Sequence, residues 1–240
     1  MGEVCTASGQ GRRAFLALAA AGVFSARTPA AEPAAQAAEP AAQAGAGPDA
    51  ALARLQAGNA AFVAATALCA SQLGEQRAQL ARHQAPWASI VACADSRVPP
   101  ELLFGGLGLG QLFVVRNAGH LPDAATLGTL EYGCSVLGVP LIVVLGHERC
   151  GAVAAACAVV QDNARFPGFI GALVDAIVPA ARAVIDQPGD FVDNAVRENA
   201  RRTAHAIATR SAAIAHAVAE RKVRVAAAYY DLDTGQVDFL

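Results

Sequence analysis

The amino-acid sequence predicts an α/β fold: a mostly parallel central sheet with an antiparallel edge strand and helices on both faces. Three observations carry this. Pro140 to Gly146 is an unbroken apolar run with β-branched residues, as in a strand buried on both faces. Strand-like and helix-like stretches alternate along the chain, the order that parallel strands joined by helices require. The turn Asp231-Leu232-Asp233-Thr234-Gly235 is followed by Val237-Asp238-Phe239-Leu240, a closing hairpin that makes one edge antiparallel.

Taken in order, Asp49 to about Leu68 reads as helix, with Leu52, Leu55 and Phe62 spaced for one face and Gly58-Asn59 as a break. A second short helix covers Gln72 to His83. Pro86 ends helical geometry and starts the first core strand, Trp87 to Ala92. Pro99-Pro100 forces a turn, and Glu101 to Phe104 makes one helical turn. The glycines from Gly105 to Gly110 do not have G-x-G-x-x-G spacing and precede a strand rather than a helix, so they are turn and close-packing positions. Phe113 to Asn117 is the second strand and its exit, and Thr126 to Leu137 is a helix. After the strand Pro140 to Gly146 comes an alanine-rich helix, then helical stretches Gly168 to Ile185 and Phe191 to Arg221, the second long and amphipathic. Val223 to Tyr230 is the last strand before the hairpin.

Composition sets the outer bounds. A chain of 240 residues, 55% hydrophobic and 16% charged, suits one sizeable domain rather than two. A formal charge of −2 leaves no basic stripe for nucleic acid. No charge-free apolar run reaches the ~18 residues of a membrane span. Six cysteines in a chain of this length do not describe a disulfide scaffold. Arg12-Arg13 precede eleven apolar residues, Ala14 to Phe24, and then Ser25-Ala26-Arg27. That pattern is a secretory signal over residues 1–30, similar to the twin-arginine type. An alanine- and proline-rich linker, residues 31–48, leads to the folded domain over 49–240. The protein is thus expected in the periplasm or secreted, with no membrane attachment in its mature form; it is cytoplasmic if the segment is not a signal.

The chemistry gathers at two strand ends. Val91-Ala92-Cys93-Ala94-Asp95-Ser96-Arg97 leaves a buried strand and delivers a thiol, a carboxylate and a guanidinium on alternate residues, which an extended chain points the same way. His147-Glu148-Arg149-Cys150 directly follows another strand. Open α/β sheets place ligands at such ends. Two thiolates and one imidazole, Cys93, Cys150 and His147, are a zinc set. The group available for a fourth position is Asp95, which either binds the metal or turns to Arg97.

Cys93-x-Asp95-x-Arg97 together with Gly146-His147-x-x-Cys150-Gly151 resembles the β-class carbonic anhydrases. The likeness extends from about Asp49 to Leu240, through Val115-Arg116-Asn117-Ala118-Gly119 and Tyr230 to Gly235. The resemblance implies a β-carbonic-anhydrase-like fold and reversible hydration of carbon dioxide to bicarbonate and a proton by zinc-bound hydroxide. It implies one Zn²⁺ per subunit on Cys93, His147 and Cys150. Asp95 is then the fourth ligand or the acceptor of a hydrogen bond from the hydroxide, with Arg97 drawing it off the metal. Gln84 matches an amide donor to substrate oxygen, Phe113 and Tyr132 match an aromatic wall built across a dimer interface, and Gly151 joins them as a substrate-binding position. A homodimer or higher even oligomer follows from the same likeness. Glu148-Arg149 and His120 depart from the family pattern: the first pair alters the rim, and His120 reads as a surface histidine rather than a proton shuttle. Arg116 matches a position that binds regulatory bicarbonate in some members. Cys134 and Cys157 read as buried helix cysteines. Two other readings stay open, a same-fold hydrolase of carbon disulfide or carbonyl sulfide and a non-catalytic zinc- or bicarbonate-binding protein.

Overall fold

The computed structural model describes residues 47–64, 77 and 80–240. The expected signal, nearly all of the linker, Cys5, Cys69 and most of the helix expected over Gln72 to His83 lie outside the described residues. Five strands form one sheet in the order β2-β1-β3-β4-β5: β1 (Ala88–Ala92), β2 (Leu112–Arg116), β3 (Leu141–His147), β4 (Arg224–Tyr230) and β5 (Val237–Phe239). The first four are mutually parallel, and β5 pairs antiparallel with β4. This is the mixed sheet that the apolar runs and the closing turn predict. Among the described residues no helix is long and apolar enough to cross a membrane.

Strand alternation builds a core on each face. Leu141, Val143 and Leu145 of β3 join Ile90 and Ala92 of β1 on one side. There they meet Leu52 and Leu55 of α1 (Pro48–Ala64) and Leu103 of α2 (Pro100–Leu103). Ile142 and Val144 point the other way, with Val91, towards α3 (Ala124–Ser135), α6 (Phe191–Arg210) and α7 (Ala212–Ala219). A third cluster, around Val153 of α4 (Gly151–Asp162) and Ile177 of α5 (Gly168–Ala183), also includes Val196 of α6 and closes over Cys93 and Cys150. Every residue of β3 is buried, which accounts for its lack of polar alternation.

Two expected boundaries are corrected. Gly58-Asn59 does not break α1, which runs continuously to Ala64. A Cβ at position 58 would collide with the Phe104 backbone carbonyl, so glycine there permits close approach of α1 to α2. Asn59 is buried, and its side chain donates to the carbonyls of Leu103 (3.1 Å) and Gly235 (2.9 Å) and accepts from Val237 N (2.9 Å). The stretch Phe191 to Arg221 is not one helix. Ser211 is extended (φ −93°, ψ 115°); its Oγ accepts from Ile214 N, capping α7, and donates to Glu131 Oε1 at 2.7 Å.

Candidate metal centre

Register brings the two motifs together. Ala92, the last residue of β1, pairs with Leu145 of β3, so Cys93 leaves the sheet beside the end of β3, where His147 stands. Cys150 is three residues on, as the N-cap of α4. The ligand atoms of Cys93, His147 and Cys150 all lie within 4.8 Å of one another, and the two sulfurs are 4.0 Å apart. All three residues are buried.

The imidazole states its own tautomer. His147 Nδ1 lies 2.9 Å from the Glu148 carbonyl, which can only accept, so Nδ1 carries the proton and Nε2 the lone pair. Nε2 is fully buried and has no hydrogen-bond partner among the described residues. An unpartnered buried acceptor costs ~1–3 kcal/mol. Placed between two sulfurs, it has the chemistry of a zinc ligand, and the donor set fits that ion.

Local charge supports the same fit. The Cys93 thiol is held well below its ordinary value, first by the hydrogen bond from Cys150, then by His147 and by the amide N–H groups of Gly119 and Asp95, against the opposing effect of burial. Cys150 is pushed up by its bond to Cys93 and by burial, while amides of Ala152 and Val153 at the start of α4 offset this in part. One proton shared between two thiols is what a divalent ion displaces.

Asp95 faces this group but is turned to Arg97. Its Oδ1 accepts from Arg97 Nε and from the Arg97 amide, each at 2.9 Å, and its Oδ2 accepts from Nη2 at 2.7 Å. Oδ2 is 3.9 Å from His147 Nε2. The guanidinium holds the Asp95 carboxyl well below the usual carboxylate range. Arg97 Nη2 also reaches the Arg149 carbonyl at 3.4 Å, linking the two ligand loops.

Other residues have roles that spacing did not reveal. Arg116 donates to the backbone carbonyls of Cys93 (2.9 Å) and Asp95 and so clamps the first loop. Glu148 accepts from Leu232 N at 3.0 Å and pairs with Arg149 at 3.0 Å, and Arg149 forks onto Asp233 at 2.6 and 3.0 Å. These rim residues therefore tie the second loop to the turn after β4. The surface reading of His120 is wrong: its ring is completely buried under α6, where Asn199 meets it. Asn199 shares a helix face with Val196, Ala200 and Thr203, a spacing that marks it as buried. Cys157 is buried as expected, whereas Cys134 is half-buried.

The remaining expected residues form a second group. Gln84 is exposed and lines a surface cavity of about 550 Å³ with Tyr132, whose ring centroid is 6.2 Å from that of Phe113. Phe113 pairs with Ser89, four residues before Cys93, which puts it about 13 Å back along the sheet at strand rise. Within one chain, Gln84, Phe113 and Tyr132 are gathered together but away from Cys93. Gly151 opens α4 next to Cys150 and is exposed.

A cysteine–histidine–cysteine set at the carboxyl ends of parallel strands, with an acid and its arginine alongside, defines a mononuclear zinc site in an α/β protein. The family model described as carbonic anhydrase matches residues 88–237. The chain is 41% identical over 189 residues to carbonic anhydrase 2 of Mycobacterium tuberculosis, covering 79% of this chain and 91% of that protein. It is 40% identical over 191 residues to the carbonic anhydrase of Mycolicibacterium smegmatis, covering 80% and 92%. Among solved structures it superposes on the Coccomyxa β-carbonic anhydrase in complex with acetazolamide, with a TM-score of 0.61 at 27% identity over 72% of this chain and 79% of that one. This chain belongs to the β-class carbonic anhydrase family.

Proposed function

We propose that the protein is a zinc enzyme that interconverts carbon dioxide with bicarbonate and a proton. The observation that carries this is the buried, unpartnered His147 Nε2 between two thiols, with Asp95 beside it. Zinc held by Cys93, His147 and Cys150 supplies the Lewis acidity that makes water nucleophilic near neutral pH. Arg97 keeps the Asp95 carboxylate ionised and oriented, so that it acts as a hydrogen-bond acceptor facing the site rather than as a fourth ligand. Gly151 offers a backbone N–H at the positive end of α4 to an anionic oxygen.

Gln84, Phe113 and Tyr132 complete the pocket from a second copy of the chain, since in one chain they sit towards the other end of β1. An apolar wall and one amide donor suit a small apolar substrate that becomes an anion. The active unit is therefore at least a homodimer. Arg12-Arg13 and the apolar run after them direct export to the periplasm.

Stopped-flow hydration of carbon dioxide on protein of measured zinc content tests the activity. Stoichiometric zinc with fast hydration is expected, and Arg97→Ala is expected to lower the rate by roughly 10–100-fold. Zinc-loaded protein that does not hydrate carbon dioxide would sink the assignment. Co-assembly of a Cys150→Ala chain with a Gln84→Ala chain is expected to restore activity that neither variant has alone; no restoration means the pocket is not shared. Cell fractionation tests export.

A further inference from the structure

Arg149 holds a backbone conformation that residues with a side chain rarely adopt. Its φ is 52°, in the left-handed region, where a glycine would sit without strain. It lies between two zinc-binding positions, and the peptides on either side of it each carry a bond to the site. The Glu148 carbonyl, in the peptide that enters Arg149, accepts from His147 Nδ1 at 2.9 Å and fixes the ring of that ligand. The Arg149 carbonyl, in the peptide that leaves it, accepts from Nη2 of Arg97 at 3.4 Å. The φ and ψ of Arg149 therefore set the angle between two carbonyls, one on a metal ligand and one on the guanidinium that turns Asp95.

What holds that angle comes from 84 residues later in the chain. Arg149 Nη1 and Nη2 donate to the two carboxylate oxygens of Asp233 at 3.0 and 2.6 Å, and Nη2 also lies 3.0 Å from Glu148 Oε2. Asp233 is a firm anchor. Its own amide and that of Thr234 donate to Asp231 Oδ1, at 2.9 and 2.8 Å, and Asn59 of α1 grips the same turn through Gly235 and Val237. Glu148 is held there too, by its N–H on the Tyr230 carbonyl at 2.8 Å and by the Leu232 amide on its Oε2 at 3.0 Å. The Arg149–Asp233 fork orients more than it stabilises. The two side chains are 52% and 69% exposed, and ion pairs so open to water add little to global stability. A planar guanidinium gripping both oxygens of a carboxylate does fix a direction.

We propose that Asp233 is a positioning residue for the zinc site: it clamps the Arg149 guanidinium, holds Arg149 in its left-handed conformation, and so keeps the two carbonyls on His147 and Arg97. This rests on the assignment of zinc to Cys93, His147 and Cys150.

Zinc-loaded protein challenged with a chromophoric chelator reads the site without catalysis. Asp233→Asn keeps the shape of the side chain and removes its charge and one acceptor oxygen. It is expected to release zinc ~10-fold faster than the unmodified protein, with the melting temperature of the zinc-free protein unchanged. Asp233→Glu keeps a carboxylate for the fork and should fall between the two. Arg149→Gly accepts the backbone angle but loses the guanidinium. It should release zinc at least as fast as Asp233→Asn, and combining the two should add no further factor. Ser211→Ala, which removes the cap of α7, is the control: it should lower the melting temperature and leave zinc release as it was. If Asp233→Asn holds zinc as the unmodified protein does, or Ser211→Ala releases it as fast as Asp233→Asn, the pair is a surface tie only and the proposal is overturned. Independent, multiplying effects of Arg149→Gly and Asp233→Asn also overturn it. Unmodified protein that takes up no zinc removes the zinc assignment and the proposal with it.

Discussion

His120 is a base kept neutral inside the protein, and that gives it a measurable acid signature. Burial lowers its imidazole to about 4, from the ordinary 6.5 that it regains on unfolding. With the folded value depressed, stability is unaffected above pH 6.5 and falls as the pH drops from 6.5 towards 4, because only the unfolded chain takes up the proton. Urea unfolding at about pH 7 and about pH 4.5 should therefore show wild type losing on the order of 2–3 kcal/mol more than His120→Asn. Equal losses would mean that the ring is not held neutral. This behaviour was hidden in the sequence, where a lone histidine after Ala118-Gly119 looks like part of an exposed turn. Its burial is decided by α6, eighty residues later. Cys93, Asp95, Arg97, His147 and Cys150 were legible for the opposite reason. Their chemistry is rare enough, and their places after apolar strands regular enough, that local sequence carries it.

At the level of elements, α1 shows how close packing reverses a propensity. Alanine favours helix over glycine by ~1 kcal/mol, so Gly58→Ala looks stabilising on an isolated helix. Here the new Cβ meets the Phe104 carbonyl, and backbone cannot swing aside. Chemical denaturation of Gly58→Ala should show a loss of about 1–3 kcal/mol; a gain would show that α1 does not rest against α2 in solution. The same contact explains why the sequence misled here. Gly-Asn is a common helix stop, but Gly58 gives clearance and the buried Asn59 side chain makes three hydrogen bonds. Strands were easier to read than helix ends. Each residue of β3 is apolar or is glycine or the ligand itself, while the interruption at Ser211 turns on one hydroxyl in a run that otherwise favours helix.

For the whole molecule, the metal is a cross-link between elements distant in sequence, the end of β1, the end of β3 and the start of α4. A ligand that binds only the folded form stabilises it by ~2.7 kcal/mol at a hundredfold excess over its Kd. Stripping zinc with a chelator should therefore lower the melting temperature and expose Cys93 and Cys150 to thiol reagents, and restoring zinc should reverse both. An unchanged melting temperature would mean that these ends are held together without an ion. Assembly was the least legible level. Gln84, Phe113 and Tyr132 were recognisable as a set, yet nothing in their spacing tells whether they serve their own chain or a neighbour. Only the register of β2 on β1 separates them from Cys93.

The stitching of Glu148 and Arg149 to Leu232 and Asp233 gives the tail of the chain an influence out of proportion to its size. Peeling β5 away, by truncation or by a bulky fusion after Leu240, tugs on the loop that presents His147 and Cys150 while the four parallel strands stay paired. Loss of catalysis then precedes loss of shape, and a tagged preparation that looks well folded can still be a poor catalyst.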